Sequence, residues 1–242
     1  MKTRVLAVPG TWEKPGGLLE GVTCNLDPAR FSITWIRYPA TFALPMSYEE
    51  SKKIAIERLR EEWVRDTKAP TVLLGYSQGA DAVGDFAREV TGHPRLKTVA
   101  LVADPWKPRG PGIGGVKLLG HGVCGERHIP GARVLHCAIP GDVVCDAHPS
   151  SLWRLTADLT RSASLDLPRW GVAVLKTVLD PRVQLLGDRP TGERLWGALS
   201  TIPEFWRYVG GAHTAYARRR VPRGGRTYTQ ELARLIAHAA DR

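Results

Sequence analysis

Short apolar runs alternate with longer amphipathic stretches along most of the chain. Five runs have the length and aliphatic content of buried strands: residues 4–8, 31–38, 71–74, 97–103 and 133–138. Three stretches repeat their apolar residues at helical spacing: residues 48–66, 80–90 and 229–240. Ser47 and Glu50 form a capping-box pair at the start of the first helix. Because such alternation is typical of βαβ units, we predict an α/β fold with a central, mostly parallel five-stranded sheet flanked by helices.

Two regions depart from this alternation. Residues 104–130 are rich in glycine and proline and show no clear period, so we predict a long loop of the kind that is often functional or mobile. Residues 148–210 have helical patterns but no strand, and they contain four of the chain's eight tryptophans. We interpret 148–210 as an inserted helical cap within a single domain that spans residues 1–242. Its tryptophans either form a wall for a substrate or fill the core of the cap itself.

The composition is that of a globular domain, with 43% hydrophobic and 24% charged residues in a chain of 242. No apolar stretch reaches the roughly 18 residues that a membrane span needs, so we predict no transmembrane segment. The first residues run directly into a strand pattern without the apolar core of a secretory signal. We therefore expect synthesis in a cytoplasm and no export by a signal peptide.

The net charge of +10 and the four cysteines add little chemistry. The dense basic run at 218–226 is interpreted as a solvated loop and helix start, and no nucleic-acid module is recognisable, so we predict no nucleic-acid partner. The cysteines show no C-x-x-C spacing, which argues against a zinc or thioredoxin-type site. We predict neither a metal nor an organic cofactor.

The sequence Gly-Tyr-Ser-Gln-Gly at 75–79 has the form of a nucleophile elbow. A predicted strand precedes it and a predicted helix follows it, which is the context that presents a serine hydroxyl above a sheet. The glycines suit a backbone that is too crowded for side chains. Ser77 is therefore the predicted catalytic nucleophile of a serine hydrolase.

A serine nucleophile needs a base that is held by an acid, and in this architecture the acid and then the base follow the serine along the chain. Asp104 and Asp142 each follow a predicted strand; the later position favours Asp142, and Asp146 is a weaker alternative. Of seven histidines, His213 follows these acids in a loop before the last helix, and it is the predicted base. Four competing histidines precede Asp142, namely His93, His121, His128 and His136. His148 is only six residues past Asp142, and His238 lies within the last predicted helix.

An oxyanion hole needs two backbone N–H groups. We predict the amide of Gln78, directly after the nucleophile, and the amide of Thr11, in the loop after the first strand. Three aromatic residues next to these motifs are candidate substrate-binding residues: Trp12, Tyr76 and Trp106.

Four motifs together resemble those of cutinases and their relatives. The elbow at 75–80 looks like theirs, and Gly-Thr-Trp-Glu at 10–13 resembles their Gly-Ser/Thr-x-Glu oxyanion loop. Gly-Asp-Val-Val-Cys at 141–145 resembles their Gly-Asp-x-Val-Cys acid motif, and Ala-His-Thr-Ala-Tyr at 212–216 is similar to their His-x-x-Tyr base motif. The resemblance implies a cutinase-like α/β-hydrolase fold and serine esterase activity.

The spacing between acid and base departs from cutinases, where the two lie much closer together. Here 71 positions separate Asp142 from His213, and the extra segment resembles the helical cap of the lysin B proteins of mycobacteriophages. That resemblance implies hydrolysis of the ester between mycolic acids and arabinogalactan in the mycobacterial wall, during phage-induced host lysis. It also implies a monomer that acts at the cell envelope after release, with possible peripheral contact to a lipid surface.

Other interpretations remain open at the level of sequence. The chain could be a general cutinase-like lipase or carboxylesterase that acts on soluble or small lipid esters, or a non-catalytic binding protein that keeps the fold. The acid-motif cysteine of cutinases pairs with an upstream cysteine, and Cys137 and Cys145 resemble that pair with one residue more between them. Synthesis in a cytoplasm instead favours free thiols.

Overall fold

The computed structural model describes residues 1–42, 45–151, 153–154, 157, 207, 211–222 and 224–241. Most of the predicted cap at 148–210 therefore lies outside the described residues. In the described part, no helix has the length and apolar character needed to cross a membrane.

A five-stranded sheet forms the centre of the molecule. Its strands are β1 (Thr3–Val8), β2 (Phe31–Trp35), β3 (Thr71–Tyr76), β4 (Leu96–Val102) and β5 (Val134–Cys137). Every neighbouring pair is parallel and the order is β2-β1-β3-β4-β5. The predicted α/β class and five-stranded sheet are confirmed, and the sheet is wholly rather than mostly parallel. Because all strands run the same way, the loops after β1, β3 and β5 meet at one edge of the sheet.

Two strand ends differ from the prediction by more than one residue. The second strand stops at Trp35 rather than Tyr38, because the chain leaves the sheet after the Ile36 amide bonds to Ala7 O at 2.9 Å. Pro39 then offers no N–H with which to continue a ladder. The third strand is longer than predicted and reaches Tyr76, so it delivers the chain directly to Ser77.

Helices cover both faces of the sheet. Among the described residues, those that pack on the sheet are α1 (Glu20–Thr23), α2 (Tyr48–Arg65), α3 (Gln78–Val90) and α4 (Tyr228–Ala240), and the short helix α1 was not predicted. Alternate residues of β1 explain the two layers, since successive side chains of a strand point to opposite faces. Leu6 belongs to the core shared with α2 and α3, whereas Val5 belongs to the core shared with α1 and α4.

The predicted long loop at 104–130 contains only a short 3₁₀ turn at Ile113–Gly115, in agreement with its glycine- and proline-rich sequence. A buried arginine attaches this loop to α3. The guanidinium of Arg127 lies 2.9 Å from Asp104, 2.9 Å from Asp85 and 3.1 Å from Asp81. Gly84 makes room for it, because a Cβ there would lie 1.9 Å from an Arg127 nitrogen. This ionic anchor holds the loop against the helix that starts at the predicted nucleophile.

Candidate active site

Ser77 occupies a sharp turn between β3 and α3. Its backbone angles, φ 54° and ψ −117°, are rare for a residue with a side chain, and such strain persists only where the surroundings enforce it. Gly75 and Gly79 allow the close approach: a Cβ on Gly75 would lie 2.4 Å from Gly79 O, and one on Gly79 would lie 2.2 Å from Val8 O. The sequence therefore folds locally into the predicted elbow, with Ser77 directly before the N-terminus of α3.

The structure brings Ser77, His213 and Asp142 into one hydrogen-bonded line. His213 Nε2 lies 3.1 Å from Ser77 Oγ, and His213 Nδ1 lies 3.1 Å from each carboxylate oxygen of Asp142. With its proton on Nδ1, the neutral imidazole donates to Asp142 and leaves Nε2 to accept the serine proton. The geometry is that of a serine nucleophile with its base and orienting acid.

Asp142 is fully buried and held by several donors. The Tyr216 hydroxyl donates to Oδ2 at 2.6 Å, and the Val144 amide donates to Oδ1 at 3.1 Å. Burial acts to raise the pKa of Asp142, but the charge and hydrogen bond of His213, together with the Tyr216 hydroxyl, outweigh burial and lower that pKa. The carboxyl is therefore ionised at neutral pH and available to hold the imidazole.

The base lies in a short 3₁₀ segment, Ala212–Ala217, rather than in an open loop. Tyr76 fixes it from β3: the Tyr76 hydroxyl donates to His213 O at 2.8 Å, and the two rings stack with centroids 5.1 Å apart. Burial acts to lower the pKa of His213, but the Asp142 carboxylate more than offsets it and the pKa is raised. The imidazolium that forms during proton transfer is thus favoured.

The competing acids have other partners. Asp104 pairs with Arg127 at 2.9 Å, and Asp146 accepts the amides of Gly120 at 2.7 Å and Gly141 at 3.0 Å. Among the seven histidines, all of them described, only His213 lies within hydrogen-bonding distance of Ser77. The tertiary structure thus selects one acid and one base from the candidates that the sequence left open.

The two predicted oxyanion donors come from different segments: Gln78 directly follows Ser77, and Thr11 lies in the loop after β1. Gln78 is the first residue of α3, so its amide has no acceptor within the helix. In the loop after β1, the Trp12 amide bonds to Ala40 O and the Glu13 amide to Gly10 O, whereas no acceptor for the Thr11 amide exists among the described residues. Thr11 lines the same cavity as Ser77. The assignment of these two amides as oxyanion donors stays a prediction.

Comparisons with known proteins agree with this architecture. Over 98% of this chain and 99% of the other, the structure matches lysin B from mycobacteriophage D29 with a TM-score of 0.55 and 20% identity. The chain has a cutinase-like α/β-hydrolase fold.

Two other solved structures match a smaller share of the chain. A cutinase-like protein from Cryptococcus sp. matches 60% of this chain and 79% of its own at 20% identity and a TM-score of 0.44. The catalytic core domain of acetyl xylan esterase from Trichoderma reesei matches 61% and 86% at 18% identity and a TM-score of 0.45. No protein-family profile and no curated protein matches the sequence.

In this cutinase-like fold, Ser77 and His213 face a cavity of about 560 Å³. Its walls are mainly apolar and aromatic, and the described residues that form them include Trp12, Phe42, Tyr48, Tyr76, Val123, Val143, Val144 and Trp153. From this set the sequence singled out Trp12 and Tyr76 individually as candidate substrate-binding residues. Val143 and Val144 lie within the predicted acid motif, and Trp153 is one of the tryptophans of the predicted cap that were offered as a substrate wall. Phe42, Tyr48 and Val123 come from segments far apart along the chain, so no local motif could have indicated them.

The three candidate substrate-binding aromatics have different positions. Trp12 is 75% exposed at the cavity and contacts Phe42 edge to face. Tyr76 lines the cavity but is almost fully buried, and its hydroxyl is engaged by the base segment. Trp106 is not among the described lining residues, and its predicted role is not supported. Its backbone bonds to Asp104 and Arg127, and its ring packs against Gly125 instead.

All four cysteines are free, so Cys137 and Cys145 do not pair. Cys145 Sγ lies 3.4 Å from the Tyr216 hydroxyl, and burial raises the pKa of the Cys137 and Cys145 thiols. Among the described residues, no cluster of histidine, cysteine, aspartate or glutamate is arranged to hold a metal ion.

Proposed function

We propose that this protein is a serine esterase that hydrolyses the ester between mycolic acids and arabinogalactan in mycobacterial-type cell walls, and that it acts in phage-induced host lysis. The observation that supports this most is the placement of His213, 3.1 Å from both Ser77 and Asp142, at an apolar cavity. The mycolate ester and the lysis role rest on the resemblance of the motifs and the inserted segment to the lysin B group.

The reaction is a two-step acyl transfer. His213 Nε2 takes the Ser77 proton while Ser77 Oγ bonds to the ester carbonyl carbon, and the amides of Thr11 and Gln78 stabilise the oxyanion. The sugar alcohol then leaves with the proton from His213. Water, activated by the same imidazole, releases the fatty acid from Ser77. Asp142 orients His213 and stabilises its charged form throughout.

The surroundings of Ser77 suit a large lipid ester. The cavity walls are predominantly apolar. Trp12 is exposed at the cavity, and tryptophan is a residue type that favours the boundary between lipid and water. An enzyme with these features contacts a lipid surface peripherally and brings the ester to the nucleophile. Its site of action would be the cell envelope, reached after synthesis in the host cytoplasm.

The decisive experiment is mass spectrometry of lipids released from purified, delipidated mycobacterial walls. Wild-type protein should release free mycolic acids, and Ser77→Ala should release none while melting at a similar temperature. Brisk cleavage of short soluble esters without release of mycolic acids would favour a general cutinase-like carboxylesterase. A Ser77 that does not react with a fluorophosphonate, in a folded protein, would favour a non-catalytic binding role.

A further inference from the structure

The carboxylate of Glu13 organises the loop that follows β1. Its Oε2 accepts the amide of Gly10 at 3.1 Å, and its Oε1 accepts the amide of Leu18 at 3.1 Å. The Glu13 amide also donates to Gly10 O at 3.1 Å. Both carboxylate oxygens therefore bind backbone amides, and the backbone of residues 10–18 folds around this one side chain. The acyl-transfer steps assign no role to Glu13.

Thr11 lies between the two residues that this carboxylate ties together. The next residue, Trp12, has φ 59°, a conformation that is sparsely populated by residues with side chains and that needs support from its surroundings. Gly17 packs directly on the carboxylate, because a Cβ there would lie 2.8 Å from it. Glu13 thus ties together the backbone of the loop that carries the predicted oxyanion donor.

Glu13 also lines the cavity shared by Ser77 and His213. Several groups face the imidazole. Asp142 bonds to it from the loop after β5, Tyr76 stacks on it from β3, and Tyr216 acts through Asp142. Burial acts to lower the pKa of His213, and the Asp142 carboxylate is the main group that raises it. The charge of Glu13, in the loop after β1, raises that pKa by a smaller amount. Glu13 therefore adds a second negative charge to the field at the base.

We infer that Glu13 is a positioning residue with two roles: it fixes the loop that presents the Thr11 amide to the oxyanion, and its charge favours the protonated form of His213. The inference rests on the proposed esterase function, and it adds a residue that acts through Thr11 and His213 rather than on the substrate. Because the imidazolium forms as Ser77 attacks, both effects stabilise the same transition state.

Three variants separate the roles. Glu13→Gln removes the charge and leaves one acceptor oxygen for two amides. Glu13→Asp keeps the charge but is one methylene shorter, so it cannot reach both amides. Glu20→Gln is the matched control, because Glu20 is an exposed carboxylate of the adjacent helix α1 that is absent from the cavity lining.

The readouts are kcat and KM on a short-chain ester, hydrogen exchange of the peptide covering residues 9–19, and titration of the His213 ring by NMR. Glu13→Gln should lower kcat roughly tenfold or more with little change in KM, speed exchange in the loop, and lower the pKa of His213, so that the acid limb of kcat/KM moves to lower pH. Glu13→Asp should lower kcat and speed exchange while the His213 titration stays near that of wild type.

The inference is overturned if Glu13→Gln keeps the kcat of Glu20→Gln, or if its His213 titration and loop exchange match those of that control. Exchange and titration need no substrate. If the wild type hydrolyses no ester, the proposed function fails, while the two roles of Glu13 are still decided by these measurements.

Discussion

The Tyr216 hydroxyl donates a 2.6 Å hydrogen bond to Oδ2 of Asp142, the carboxylate that holds His213. Tyr216 is fully buried and lies three residues after the base on the same 3₁₀ segment. One short segment therefore supplies both the imidazole and a donor that fixes the acid. This contact keeps the acid next to the base, although the two are 71 positions apart in sequence.

Tyr216→Phe should remove that donor while keeping the ring. We expect kcat to fall about tenfold, because Asp142 is less firmly oriented. The free energy of unfolding should fall by roughly 1.5–3 kcal/mol, as for other hydrogen bonds to charged groups. Kinetics on a short-chain ester and urea denaturation test this. Tyr228→Phe is the control, since Tyr228 packs edge to face on Tyr216 but does not bond to the acid; equal losses in both variants would contradict the prediction.

The identity of the acid is tested by two asparagine variants. Asp142→Asn should lower kcat by on the order of 10³–10⁴, because the imidazole loses the partner that sets its tautomer. Asp104→Asn should leave kcat within a few fold of wild type, since Asp104 pairs with Arg127 and not with His213. Near-normal turnover by Asp142→Asn would show that the acid is misassigned.

Asp104 should also make stability depend on pH. Burial raises its pKa from 3.8 to about 6, against the opposing charge of Arg127. His136, 4.0 Å away, stays neutral in this range because burial lowers its pKa to about 3. A raised folded-state pKa gives stability that is fully present below pH 3.8 and is lost as pH rises through about 6.

The amplitude of this effect should be about 3 kcal/mol, from about 1.4 kcal/mol per pH unit. Denaturant melts of wild type and Asp104→Asn between pH 4 and pH 7 measure it as a difference, so that other titrating groups cancel. Parallel curves for the two proteins would show that the Asp104 carboxyl does not titrate differently in the folded state.

Gly79→Ala should damage the elbow. Its Cβ would lie 2.2 Å from Val8 O and could not be relieved by a rotamer change, since the neighbour is backbone. We expect a loss of about 1–3 kcal/mol or more in the free energy of unfolding, with loss of most esterase activity. Gly225→Ala, where a Cβ meets nothing within 4 Å, is the matched control and should behave like wild type. Thermal melts and fluorophosphonate labelling of Ser77 distinguish the outcomes.

The strands were predictable because parallel strands buried on both faces read as continuous apolar runs, as at Thr71–Tyr76. Helix α1, with only four residues, is too short for a periodic pattern and depends on packing, with Val22 buried in the core. The elbow at Ser77 was equally visible, since its glycines and the flanking strand and helix are local features.

The choice between Asp104 and Asp142 was not local. Both follow strand ends; the later position and the acid motif favoured Asp142, and its hydrogen bond to His213 decides between the two. The buried ion pairs of Arg127 could not be predicted from the sequence either. An arginine in a glycine-rich loop is expected to be exposed to solvent, and the acidic partners of Arg127 lie 23 to 46 positions away. Sequence proximity similarly suggested Trp106 for the site, whereas the fold turns its ring towards Gly125.

The contact between Gly79 and Val8 O joins the elbow to the strand from which the Thr11 loop begins. The nucleophile and the two predicted oxyanion donors therefore belong to one packed structural unit. A substitution that displaces one of these three residues should displace the others. New ester preferences are then accessible at the cavity walls, at Phe42, Val144 and Trp153, without disturbing that unit. Selection for altered acyl chains should therefore accumulate substitutions at the walls and leave the elbow unchanged.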